Sequence, residues 1–208
     1  MNEPQISAIK KSLETAVQQA AEMHGRMDET LPALSAIAQA CAQALRSGGT
    51  VYFCGNGGSA AESQHLATEF VVRLSSQRNR AALSSIALTT DTSLITACSN
   101  DLGFDKIYSR QIEAHLKAGD VLILLSTSGA SPNLLEAASA ARHRRGTVAA
   151  FVGEKQTPLD KLAHHTLHIP SPHSQRVQEG HLLCGHLLVE MVEDLLTETP
   201  SSAPENSR

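Results

Sequence analysis

A chain of 208 residues with a formal charge of −4 has room for one domain with a substantial core, or at most two small ones. With 17 Lys and Arg against 21 Asp and Glu, and no Trp, it lacks both the basic field and the aromatic-basic interleaving that nucleic-acid binding uses. No apolar run approaches membrane-spanning length, and the start Met1-Asn-Glu-Pro-Gln has no secretory signal pattern, so a cytoplasmic protein without membrane or nucleic-acid partners is expected.

In chain order, residues 5–25 and 32–45 read as helices, broken at Asp28-Glu-Thr-Leu-Pro32. In the second, Leu34, Ile37, Cys41 and Leu45 recur at helical spacing, and Gly48-Gly49 supplies the stop. Strand-like segments follow near 50–54, 84–88, 121–126, 147–152 and 166–169. Helical patterns at 59–74, 105–117, 132–145 and 157–163 separate most of them. That alternation predicts an α/β fold, a doubly wound five-stranded parallel sheet with helices on both faces. A last helix over 174–197 carries Leu182, Leu183, Leu187, Leu188, Met191 and Leu195, and 198–208 reads as a polar, disordered tail. The expected organisation is a single domain over 1–197, with an N-terminal helical pair (1–47) set beside an α/β core (48–197). The pair has apolar faces to bury, against a second subunit or back on its own sheet. Cys41, Cys54, Cys98 and Cys184 are scattered without a C-x-x-C pair and read as buried thiols.

The chemistry concentrates at two strand ends. Cys54-Gly55-Asn56-Gly57-Gly58-Ser59 follows the apolar run 50–53 and opens a helix-like stretch. Such a turn lets backbone N–H groups approach an anion, and the helix N-terminus adds positive charge. It has neither the Lys-Ser/Thr of a Walker A loop nor dinucleotide spacing, and alone it is a weak signal, with a plain tight turn as the alternative. The second is Ser126-Thr127-Ser128-Gly129-Ala130-Ser131, after the continuous apolar run Val121-Leu122-Ile123-Leu124-Leu125. Its hydroxyls form a phosphate cradle without any lysine, although serines at one such loop also serve as helix caps. Two such loops in one parallel sheet point to a ligand outside the carboxyl ends of the strands.

Reactive side chains follow on two helices. His65 and Glu69 are four residues apart, so both leave one helical face and can share Zn²⁺ or a similar ion; the alternative is a solvated i,i+4 pair. Glu62, one turn before His65, is a candidate base. Gln178 and His186 lie roughly 80° around and about 12 Å along a helix from one another, near the limit of convergence on one ion. His181, on the same stretch, is a rival ligand.

The segments Cys54-Gly-Asn-Gly-Gly-Ser59, Ser126-Thr-Ser-Gly129 and Arg176-Val-Gln-Glu-Gly-His181 resemble the sugar isomerase (SIS) domain superfamily. Gln64-His65 with Glu69, Gln178 and His186 resembles its phosphoheptose isomerase branch, over about Met1 to Leu196. The resemblance implies one divalent metal, zinc, on His65, Glu69, Gln178 and His186. It also implies substrate contacts at Asn56, Gly57, Gly58, Glu69, Asn100, Asp101, Ser126, Thr127, Ser128, Ser131 and Gln178, and a homotetramer built on the N-terminal helices. The expected reaction is aldose–ketose interconversion of sedoheptulose 7-phosphate through an enediol, with Glu69 as base and His186 as acid or shuttle. A tight ligand is a poor free base, so the two roles of Glu69 compete. Gln175 departs from relatives that carry an aspartate there. The alternatives are a regulator resembling the replication initiator-associating protein, which lacks the histidine at position 186, and a sugar-phosphate sensor, which would bring a basic DNA-binding segment absent here.

Overall fold

The computed structural model describes residues 3–197. Five parallel strands, β1 (Val51–Gly55), β2 (Ser85–Ala87), β3 (Val121–Leu125), β4 (Thr147–Val152) and β5 (His165–His168), form one sheet in the order β2-β1-β3-β4-β5. Every residue of β1 and β3 is buried, which is why these strands are uninterrupted apolar runs. The chain moves outward from β1 to β2 and then returns to β3 on the other side of β1. The strand order reverses there, and in such sheets ligands sit outside the carboxyl ends of the strands at the reversal. The register pairs Gly55 with Leu125, so the glycine turn and the hydroxyl loop start level and side by side.

Alternate strand residues feed two cores. Val51 and Phe53 join Leu34, Ile37, Cys41, Phe70 and Leu188 on one face, under α2 (Leu31–Arg46), α3 (Gly58–Val71) and α7 (Ser174–Thr197). Tyr52 and Cys54 join Ile112, Leu122, Leu134 and Ala138 on the other, under α5 (Ser109–His115) and α6 (Pro132–His143). All four cysteines are free and buried. Burial pushes the Cys41 thiol up to about 12 and the Cys184 thiol up to about 11, so neither is a nucleophile at neutral pH.

The structure departs from the sequence expectation in three places. A helix over Thr92–Asp101, α4, has no counterpart in it, because hydroxyl and β-branched residues there mask the pattern; Asp91 caps it by accepting the Leu94 N–H at 2.9 Å. The single helix expected over 105–117 divides into a 3-10 turn, Phe104–Lys106, and α5, as Tyr108 turns inward between them. The stretch 157–163 forms only a 3-10 turn, Pro158–Lys161, closed by a Thr157/Asp160 capping box. For the N-terminal pair, whose burial the sequence leaves open, the two helices differ. Leu34, Ile37, Ala38 and Cys41 bury α2 on its own sheet, whereas α1 (Glu3–His24) leaves Ile6, Ile9, Leu13 and Val17 exposed along one face. The expected tail, 198–208, lies outside the described residues. None of the described helices is long and apolar enough to cross a membrane.

Candidate active site

Between β1 and α3 the chain turns through Gly57 at φ 57°, ψ −119°, a conformation that side chains exclude. Two side chains fix this turn from outside. Tyr108 Oη donates to the Gly55 carbonyl at 2.5 Å. Asn56 and Asn133 exchange amide hydrogen bonds at 3.0 and 2.8 Å, tying the glycine turn to the first turn of α6.

The hydroxyl loop leaves β3 and is ordered by its own serines. Ser126 Oγ accepts from the Gly129 N–H at 3.0 Å, leaving its O–H free to donate. Ser126, Thr127, Ser128 and Ser131 border a small cleft of about 90 Å³ with Asn56 and Gln178. The Gln178 amide lies directly against Gly58, where any Cβ would strike it. One cleft therefore gathers the glycine turn, the hydroxyl loop and the start of α7.

One to three turns further along α3 stand the ionisable groups. His65 and Glu69 project from one helical face, with Nε2 to Oε1 at 3.7 Å. His186 on α7 meets them, its Nε2 2.7 Å from that of His65 and the two rings edge to face. Two imidazole nitrogens at that distance bond only when one presents N–H and the other a lone pair. Glu62, one turn earlier, has one carboxylate oxygen buried with no hydrogen-bond partner among the described residues. Burial pushes its carboxyl up to about 7, against the opposing bond from Ser59.

Residues 16–153 match the SIS domain family. The chain is 44% identical to the phosphoheptose isomerase of Rhodospirillum rubrum over 179 residues, covering 86% of this chain and 94% of that protein. The solved phosphoheptose isomerase of Neisseria gonorrhoeae superposes with a TM-score of 0.82 at 33% identity, covering 88% of this chain and 99% of that one. That of Francisella tularensis gives 0.81 at 30% identity, covering 93% and 100%. This chain belongs to the phosphoheptose isomerase family. It is an isomerase.

For this family member, the donor set can be tested against a metal. Two imidazoles and a carboxylate suit a zinc-type ion. Among the described residues, however, no cluster of three such groups stands ready as a cage. Two nitrogens on one tetrahedral zinc lie roughly 3.3 Å apart, wider than the 2.7 Å between His65 and His186. A modest opening of the ring pair would fit the ion between them. Gln178, the fourth expected donor, lies at the glycine turn. His181, the rival ligand, is fully buried against Phe151 on the core side of α7, and burial holds its pKa down to about 4, with the Val152 backbone opposing. It belongs to the core and not to the site. Asn100 and Asp101 are exposed at the end of α4, joined to each other at 2.8 Å.

Three residues that shape this candidate site escaped the sequence reading. Asn133 and Tyr108 reach the glycine turn from 77 and 53 residues away, separations that leave no local signal. Arg80 grips the Glu69 carbonyl at 2.7 Å and the Phe70 carbonyl at 2.8 Å, and pairs with buried Glu193 of α7 at 2.6 Å. It thereby fastens the end of α3, which carries His65 and Glu69, to the helix that carries His186.

Proposed function

We propose that this isomerase interconverts D-sedoheptulose 7-phosphate and D-glycero-D-manno-heptose 7-phosphate in the cytoplasm, the entry step toward heptose for bacterial surface polysaccharide. The observations that support the reading are a hydroxyl-lined cleft without lysine at the ends of β1 and β3 and, further along α3 and on α7, an imidazole pair with the Glu69 carboxylate beside it. The substrate phosphate sits on the 126–131 hydroxyls, and Asn56, Gly57, Gly58 and Gln178 hold the chain beyond it. The exposed Asn100 and Asp101 are free to meet sugar hydroxyls.

Glu69 takes the proton from the carbon beside the carbonyl. His186 delivers a proton to the neighbouring position. A buried carboxyl near pH 7 supports Glu62 as a second base, relieving Glu69 where it acts as a ligand. His65, Glu69 and His186, with Gln178 as fourth donor, would hold a divalent ion, most suitably zinc, which when bound polarises the carbonyl and stabilises enediolate charge. A non-catalytic regulator has no use for His186, and its contact with His65 favours the enzyme.

A coupled assay of the purified protein on sedoheptulose 7-phosphate tests the whole reading. Turnover is expected, and its absence in metal-replete enzyme would overturn it. Ser126→Ala with Ser128→Ala should raise KM strongly, since each lost bond to a charged group costs roughly 1.5–3 kcal/mol; an unchanged KM would place the phosphate elsewhere.

Glu62 gives a pH prediction. Its folded pKa of about 7 lies above the ordinary 4.5, so between those values the native state holds a proton that the unfolded chain has released. Stability therefore falls as pH rises through this window, and Glu62→Gln removes that fall. Thermal unfolding at pH 5 and 8 should show the parent losing ground to the variant at the higher pH.

The exposed stripe on α1, with Leu13 at 63% and Val17 at 69% exposure, supports assembly into a homotetramer through the N-terminal helices. Light scattering should give about four times 22.1 kDa; a fully active monomer would reject it.

A further inference from the structure

The segment 153–160 lies across the hydroxyl loop and is fastened to it at both ends. Near its start the Gly153 N–H reaches the Thr127 carbonyl at 3.3 Å; near its end the Leu159 N–H reaches the Gly129 carbonyl at 3.2 Å. Between them Thr157 lies over Gly129, at φ 57°, leaving no space for a Cβ there. The space under this segment, about 250 Å³, shares Thr127 and Ser128 with the smaller cleft.

One side chain holds both ends of that segment. His168, the last residue of β5, has Nδ1 2.9 Å from the Gly153 carbonyl and Nε2 2.8 Å from Asp160 Oδ1. A carbonyl oxygen only accepts. Asp160 accepts as well, because its other oxygen takes the Thr157 N–H at 2.5 Å and the Thr157 hydroxyl at 2.9 Å. Burial raises the Asp160 carboxyl, but these bonds and His168 outweigh it and hold it below its ordinary value, so it stays ionised. Both contacts of His168 are therefore hydrogen bonds only when both ring nitrogens carry protons. In the neutral ring, one contact sets a lone pair against a lone pair.

We propose that His168 is a positioning residue for substrate binding: as the imidazolium it braces segment 153–160 against the hydroxyl loop, and neutralising it loosens the phosphate site. The proposal rests on the reading that this loop holds the phosphate. Asp160 is the charged group in contact with the ring. Lys161 follows Asp160 on the 3-10 turn, and Glu154 and Lys155 follow Gly153. From α6, Arg142 is engaged with the Leu162 carbonyl and His164. The adjacent strand β4, Thr147–Val152, carries no ionisable side chain.

The test compares KM for sedoheptulose 7-phosphate in the parent and in His168→Gln, which is neutral throughout, from pH 5.5 to 8.5. The substrate phosphate titrates alike in both, so it cancels in the ratio. The variant's KM should be about tenfold higher at pH 5.5, the loss of one charge-assisted bond, and equal at pH 8.5, with kcat little changed. Nitrogen-15 NMR of the parent locates the titration of the His168 ring, and the amide signals of Gly129 and Leu159 should shift at that same pH. A KM ratio that is flat with pH overturns the proposal. If the variant does not fold, Gly129 and Leu159 amides indifferent to the ring's titration in the parent overturn it equally. Failure of the phosphate reading would show separately, as an unchanged KM in the Ser126/Ser128 double variant.

Discussion

His186→Asn is expected to lower kcat/KM by at least roughly 10²-fold, the low end for losing a general acid–base group, while the protein folds normally. Asparagine keeps a polar group at this half-buried helical position but supplies no proton near neutral pH. It also removes the Nε2 to Nε2 contact at 2.7 Å with His65. Metal analysis of the same variant separates the two roles. Loss of bound ion points to ligation, whereas loss of rate with the ion retained points to proton transfer. An active parent whose variant keeps its full kcat/KM would remove His186 from catalysis, even with the family membership intact.

Arg80→Ala should cost about 3–5 kcal/mol of stability, the range for breaking a buried ion pair by removing one partner. Glu193 is only 2% exposed, so the variant leaves its carboxylate in the core. Its other contact, Arg78 at 3.7 Å, is long and on the surface side. The same change frees the Glu69 and Phe70 carbonyls at the end of α3, which Arg80 satisfies. Urea unfolding measures the effect, and Arg80→Lys should recover part of it, since an ammonium keeps the charge but lacks the planar fork that reaches four acceptors here. A loss below about 1 kcal/mol would mean that Arg78 takes over the pairing.

The sequence by itself determined the sheet and its two loops. Strands buried on both faces must be unbroken apolar runs, and turns that bring backbone close to a ligand must carry glycine. Those requirements are local, so 50–54 and 121–126 could be read directly, along with the loops that follow them. The i,i+4 placement of His65 and Glu69 is also local, since one helix dictates it. What the sequence left open depends on contacts between distant segments. Whether α2 would fold back or stand apart turned on the fit of Leu34, Ile37 and Cys41 to the sheet, and either burial would satisfy the same apolar face. His181 and His186 are five residues apart on one helix, and only its packing decided that His186 faces His65 while His181 faces Phe151. Arg80, Asn133 and the His168–Asp160 brace were invisible for the same reason. A single charged or polar side chain carries no periodicity, and its partner is chosen by the tertiary fold alone.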